Sequence, residues 1–161
     1  MDEILEILEN DARITPAQIA KMTGKSVATV KNAIKQFEKK GVILKYKTVL
    51  NKELLQENHP TVRALIEVQV MPQKNVGFDY LAERIYQFPE VKSCYLVSGT
   101  YDLLLIVEGK DIRTVADFVS AKLAPMENVR GTTTHFLLQK YKEDGQILKK
   151  KERGKRLAIS Y

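Results

Sequence analysis

The sequence predicts an α+β protein in two parts, a unit of three short helices followed by a domain in which strands alternate with helices. Three observations carry that prediction. Apolar residues recur at helical spacing up to position 40 and alternate at strand spacing from position 62; helix start and stop signals punctuate the first fifty residues; and the charge changes sign between the parts. Residues 1–50 hold nine basic and six acidic residues, residues 51–139 nine and eleven, and residues 140–161 eight and three, so the +6 of the chain sits at its two ends. Phosphate contact confined to part of a molecule produces such a distribution.

The first helix is expected over residues 2–10, with Ile4, Leu5, Ile7 and Leu8 inward and Glu3, Glu6 and Glu9 outward. Thr15, Pro16 and Gln18 then spell a helix start: a hydroxyl N-cap, a proline whose missing N–H is needed nowhere at the first position, and a glutamine that completes a capping box. The second helix runs through Ile19, Ala20 and Met22 and breaks at Thr23, Gly24 and Lys25, a turn short enough to set two helices at a steep angle. Ser26 caps a third helix over residues 27–40, whose apolar stripe is Val27, Val30, Ile34 and Phe37. Its other face carries Ala28, Thr29, Lys31, Asn32, Lys35, Gln36 and Lys39, small and cationic residues with amides that suit a helix lying in a major groove. Gly41 ends it, and residues 42–49 read as a wing or linker strand with Lys45 and Lys47 on one side. This is the pattern of a winged helix-turn-helix. The DNA-contacting set expected from it is Lys25, Ser26, Ala28, Thr29, Lys31, Asn32, Lys35 and Gln36, with double-stranded DNA as partner. A three-helix unit that binds protein is the alternative.

Residues 51–61 are polar, with His59 and Pro60 near the end, and read as a hinge. A strand follows over residues 62–71, then a helix from Phe78 to Phe88 ended by Pro89, a strand over 91–97, the turn Ser98, Gly99, Thr100, Tyr101, and a nearly continuous apolar strand over 102–108. A helix over 112–126 with Val115, Val119 and Leu123 on one stripe and a last strand over 129–141 complete two similar halves. The order βαββαβ is the ferredoxin-like arrangement. Both helices fall on one side of the sheet, and Leu65, Leu96 and Phe136 are not all accommodated by that single layer, so the other face is expected to dimerise. An RNA-recognition domain of the same topology carries a basic-Gly-aromatic motif in its third strand, where this chain has Leu103, Leu104, Leu105, Ile106 and Val107.

Several stretches in this order and spacing resemble the Lrp/AsnC feast/famine transcriptional regulators over about residues 1–141. They are residues 4–14, Glu38-Lys39-Lys40-Gly41-Val42-Ile43, Pro89-Glu90-Val91, and Val97-Ser98-Gly99-Thr100-Tyr101-Asp102-Leu103-Leu104. The resemblance implies a winged helix-turn-helix (1–50), a hinge (51–61) and a ferredoxin-like effector-sensing (RAM) domain (62–141). It also implies homodimers that assemble into octamers or related rings, and control by a small effector, commonly an amino acid. Three departures stand out: Ala33 occupies a position where the family often has arginine, His59-Pro60 replaces its usual Leu-Gly, and a basic tail covers residues 142–161.

The turn at Gly99, Thr100, Tyr101 and Asp102 is the best effector candidate: glycine admits close approach, Asp102 can pair with an ammonium, and Tyr101 offers a wall. The resemblance places effectors near it, at a contact between dimers. Thr132, Thr134 and His135 could complete the pocket; a tight hairpin with Asp102 bonding backbone is the plain alternative. The lone Cys94 reads as core filler, and two histidines without cysteine partners leave no metal spacing. No nucleophile triad, phosphate loop or dinucleotide glycine motif is visible, so neither an enzyme nor a cofactor is expected. No run approaches a membrane span and the N-terminus is not a signal peptide, so the expected compartment is the cytoplasm. The tail concentrates six positive residues between Lys149 and Arg156, readable as a solvated extension or a DNA-contacting arm, and its apolar end from Leu157 to Tyr161 as a docking segment.

Overall fold

A computed structural model of the chain describes residues 2–55, 61–71 and 77–148, and divides it into two compact units, residues 1–51 and 52–161. In the first unit α1 (Glu3–Asn10), α2 (Pro16–Thr23) and α3 (Val27–Lys39) pack around Ile4, Leu8, Ile19, Ala20 and Val30. The local signals act as their chemistry requires. Thr15 Oγ1 accepts the Gln18 N–H while Gln18 Oε1 accepts the Thr15 N–H at 2.9 Å, a complete capping box. Ser26 Oγ accepts the Thr29 N–H at 3.1 Å. Past the end of α3, Gly41 adopts φ +69°, and the amides of Val42 and Ile43 fold back to donate to the Phe37 carbonyl.

Two expectations for this unit are corrected. Val27 is 40% exposed, so the buried stripe of α3 is Val30 with Ala33, Ile34 and Phe37 half-buried beside it. Residues 42–50 form no strand among the described residues; alternation alone makes no strand without a neighbouring ladder, and Leu44 stands 88% exposed. The segment is tied back by Tyr46, whose hydroxyl donates to Glu38 Oε1 at 3.0 Å.

The second unit begins with a 3-10 turn (Lys52–Leu54) and continues as β1 (Val62–Val70), α4 (Phe78–Tyr86), β2 (Val91–Leu96), β3 (Leu103–Gly109), α5 (Ile112–Phe118), a π-helical turn (Val119–Leu123) and β4 (Val129–Phe136). The strands form an antiparallel sheet in the order β2-β3-β1-β4, the ferredoxin-like topology. Its helix-covered face is the core: Ala64, Ile66, Val68, Leu103, Leu105 and Val107 pack under Leu81, Ile85, Val115, Phe118 and Leu123. The register fixes what lies opposite. Leu65 pairs with Ile106 and His135, and Glu67 with Leu104 and Thr133, so these residues line the uncovered face.

Phe136 pairs with the fully buried Ala64 and packs against the core. Leu96 pairs with the core residue Leu103 and is also on the helix side, exposed at the sheet edge; of the three leftover apolar residues only Leu65 faces the open side. The helix expected over 112–126 changes pitch at Val119, where the Ala124 N–H donates back five residues to the Val119 carbonyl at 2.8 Å. Pro125 accounts for the change: it has no N–H for the carbonyl of Ala121, and in a continued α-helix its ring would clash with that carbonyl.

The segment read as tail starts with structure. β5 (Lys142–Glu143) and β6 (Gln146–Ile147) form a hairpin whose turn residues Asp144 and Gly145 have φ +44° and +78°. Both angles positive is the primed turn that Asp-Gly favours. Arg63 holds the hairpin to the sheet, bonding Glu143 Oε1 at 2.7 Å while its Nε donates to Glu108 Oε1, also at 2.7 Å. The rest of the tail from residue 149, and the His59-Pro60 departure, lie outside the described residues.

Candidate functional site

Two places hold the residues singled out by sequence, one in each unit. On α3, Ala28, Thr29, Lys31, Asn32, Lys35 and Gln36 are all exposed, and the buried Val30 fixes which way that face points. Ala28, Lys31, Asn32 and Lys35 recur three and four residues apart, so they form one stripe. Ser26 is committed to the cap, and its hydroxyl also meets Thr29 Oγ1 at 2.8 Å, so this pair is mutually oriented. Lys25 is not free either: its ammonium lies 3.6 Å from Glu3 on α1, a partner that sequence spacing does not expose. An exposed pair of this kind contributes little to stability and breaks readily when a phosphate competes.

In the second unit, residues 99–102 close β2 onto β3 at one end of the sheet. Gly99 takes φ +158°, with open space where a Cβ would stand. Asp102 joins three chain segments: its N–H donates to the Val68 carbonyl at 3.0 Å, its own carbonyl accepts the Val97 N–H at 2.9 Å, and its Oδ2 accepts the Val70 N–H at 2.7 Å. The carboxylate therefore does bond backbone, through one oxygen. Gln69 reaches the same turn, its side-chain amide donating to the Thr100 carbonyl at 3.5 Å. Sequence alternation marks Gln69 only as a solvent-facing strand residue; its position next to the turn follows from the β1–β3 register.

The same register places Thr132 beside Val68 and Thr134 beside Ile66, both on the helix-covered side of β4. Thr132 thus stands at the turn's end of the sheet and Thr134 two residues further from it. His135 points the opposite way, its Nε2 3.1 Å from Glu67 Oε1 on the open face, so it cannot share a pocket wall with the two threonines. Cys94 is half-buried against the core, and burial pushes its thiol up, away from the thiolate. Among the described residues no group of three His, Cys, Asp or Glu side chains could hold a metal, and no helix is long and apolar enough to cross a membrane.

Comparison with known proteins agrees with both units. Residues 63–147 match the family model of the Lrp/AsnC ligand binding domain, and residues 3–43 match that of a winged helix-turn-helix DNA-binding domain. The chain is 45% identical over 158 residues to the HTH-type transcriptional regulator YugG of Bacillus subtilis (strain 168), covering 98% of this chain and 95% of that one. Among solved structures, a transcriptional regulator from Neisseria meningitidis in complex with L-Met superposes with a TM-score of 0.68 at 25% identity, covering 88% of this chain and 89% of that one. The leucine response regulatory protein LrpA of Mycobacterium tuberculosis shares the fold with a TM-score of 0.73 at 24% identity, over 91% of this chain and 96% of that one.

Proposed function

The chain belongs to the Lrp/AsnC family of transcriptional regulators, and on that premise we propose that α3 reads an operator while the turn at 99–102 senses an amino acid. The protein is a DNA-binding transcriptional regulator with a ligand-binding domain, not an enzyme. The observation that carries the assignment of the reading face is the exposed stripe of α3, held outward by the burial of Val30. On it Lys31 and Lys35 contact phosphates and set affinity, while Asn32 and Thr29 contact base edges and set preference. Lys25 leaves Glu3 for a phosphate, Ser26 orients Thr29, and Ala28 and Gln36 complete the contact surface. The compartment in keeping with a DNA-binding regulator of this family is the cytoplasm.

For the effector, Asp102 keeps one carboxylate oxygen beyond the one bonded to Val70, which is available to an ammonium group. Gly99, Thr100 and Tyr101 form the approach, and Thr132 lies at the same end of the sheet, with Thr134 beyond it as the outermost member of the set. The L-Met complex of the Neisseria meningitidis regulator supports an amino acid as the class. The open sheet face, with Leu65, Leu104 and Ile106 half-covered and Tyr95 exposed, supports a homodimer or a larger ring such as an octamer. An effector shifts DNA affinity only by binding two assembly states unequally.

Calorimetry of the full chain against the twenty amino acids, with sedimentation run beside it, tests the sensing half. One or a few amino acids should release heat and change the assembly, and Asp102→Asn should abolish both. Silence from all twenty, or an unaltered response in the variant, would refute the assignment.

A further inference from the structure

Where the end of α4 meets the π-helical turn, a groove of about 450 Å³ is lined by Arg84, Gln87, Phe88, Lys122 and Met126. That volume is in the range of small-molecule sites. It is remote in the chain from the turn at 99–102, and its lining combines two cationic side chains, Arg84 and Lys122, with the apolar Phe88 and Met126.

The floor is the Phe88 ring, packed edge-on against Phe118 with centroids 5.6 Å apart, beside the nearly buried Met126. Lys122 reaches this position from the π-helical turn, its ammonium 5.6 Å from the Phe88 centroid and bonded to Glu90 Oε1. Single π-turns within helices are frequent where a side chain must be re-aimed for function. Arg84 lies against the Tyr80 ring at 5.7 Å, and among the described residues no carboxylate pairs with it. Its guanidinium therefore presents a planar fork of donors that matches a carboxylate. None of the five lining residues is an acid, and Glu90 beside them is closed to a ligand's ammonium: its Oε1 is occupied by Lys122 and its Oε2 is buried out of reach.

We propose that this groove binds a small monocarboxylate with an apolar tail and no ammonium group, its carboxylate on Arg84 and Lys122 and its tail on Phe88 and Met126. Such a site is separate from the amino-acid site and gives the regulator a second input, of the deaminated kind.

The test uses 4-methyl-2-oxopentanoate as probe on the full-length protein, with binding followed by saturation-transfer NMR and calorimetry. Saturable binding with Kd about 1 mM or tighter is expected, weakened at least about tenfold by Arg84→Gln and unchanged by Asp102→Asn. The ketone 4-methylpentan-2-one, which has the tail without the carboxylate, should not bind, and L-leucine should show no Arg84-dependent signal. Arg84 is exposed, so its variant is expected to fold, and a circular dichroism spectrum checks that. Absence of saturable binding, binding indifferent to Arg84→Gln, or loss in Asp102→Asn with retention in Arg84→Gln would each overturn the proposal.

Discussion

Replacing Asp102 by alanine should destabilise the second unit as well as silence its effector response, and the two effects can be separated. The carboxylate Oδ2 accepts the Val70 N–H at 2.7 Å, a short charge-assisted bond at the end of β1, and alanine leaves that amide without its acceptor. Bonds to charged acceptors contribute about 1.5–3 kcal/mol; this one is partly exposed, so the lower end, about 1.5 kcal/mol, applies. For a domain of roughly a hundred residues each kcal/mol shifts Tm by about 4–8 °C, which gives a loss of about 6 °C or more. Asparagine at the same position retains a carbonyl acceptor while losing the charge, so it should restore most of the Tm yet remain deaf to an amino-acid ammonium. Thermal unfolding followed by near-ultraviolet circular dichroism, read on the tyrosines, measures the shift for all three proteins. Equal Tm values for wild type and Asp102→Ala would show that the bond to Val70 has no energetic weight and that the account of the turn is wrong.

The remaining predictions are of stability. Val30→Ala deletes two methyl groups at a fully buried position of α3 and leaves a cavity, so it should cost about 2 kcal/mol or slightly more in chemical denaturation, with the loss confined to the first unit. At Gly109 a Cβ would stand 3.0 Å from Val115 Cγ2 and 3.2 Å from Thr114, so Gly109→Ala should force α5 away from the end of β3 and destabilise the second unit by about 1–3 kcal/mol, read in the same titration. Glu90 is held below the ordinary carboxylate value of 4.5 by its bond to Lys122, and Glu143 by its bonds to Lys140 and Arg63. Glu108 is also lowered: burial alone would raise it, but the Arg63 guanidinium outweighs that. Carboxylates depressed in the folded state contribute stability that is complete above their unfolded value and vanishes as pH falls through the folded one, so Tm should be level down to about pH 5 and drop below it. Arg63→Met should shallow that drop, and a Tm insensitive to pH in this window would contradict the assignment.

What the sequence discloses is governed by how local the cause is. Thr15, Pro16 and Gln18 form a helix start within four residues, and Ser26, Gly24 and Gly41 act on their immediate neighbours, so the three helices are legible almost to the residue. The βαββαβ order is legible because each element carries its own periodicity. Faces are not. Phe136 and His135 are adjacent in sequence and lie on opposite sides of the sheet, and which side is the core depends on a register with β1 set seventy residues away. The π-turn at Val119–Leu123 reflects a conflict between helix continuation and Pro125, which periodicity cannot weigh. The β5–β6 hairpin did carry a signal, the Asp144-Gly145 pair, but strands of two residues have no pattern to support it. Partners of charged residues were hidden for the same reason: Glu3 beside Lys25, and Glu143 beside Arg63, are brought together by tertiary packing alone.

The central claim, that the outward face of α3 reads DNA, is tested most directly by binding as a function of salt. Operator fragments selected with the wild-type protein are titrated by fluorescence anisotropy against wild type and against the combined variant Lys31→Gln, Asn32→Ala, Lys35→Gln, all at exposed positions. The variant should lose sequence preference. Its slope of log K against log salt should be shallower by about 0.9 for each lysine phosphate contact removed, about 1.8 per recognition helix. A variant that folds, keeps its operator and shows the wild-type slope would contradict that claim.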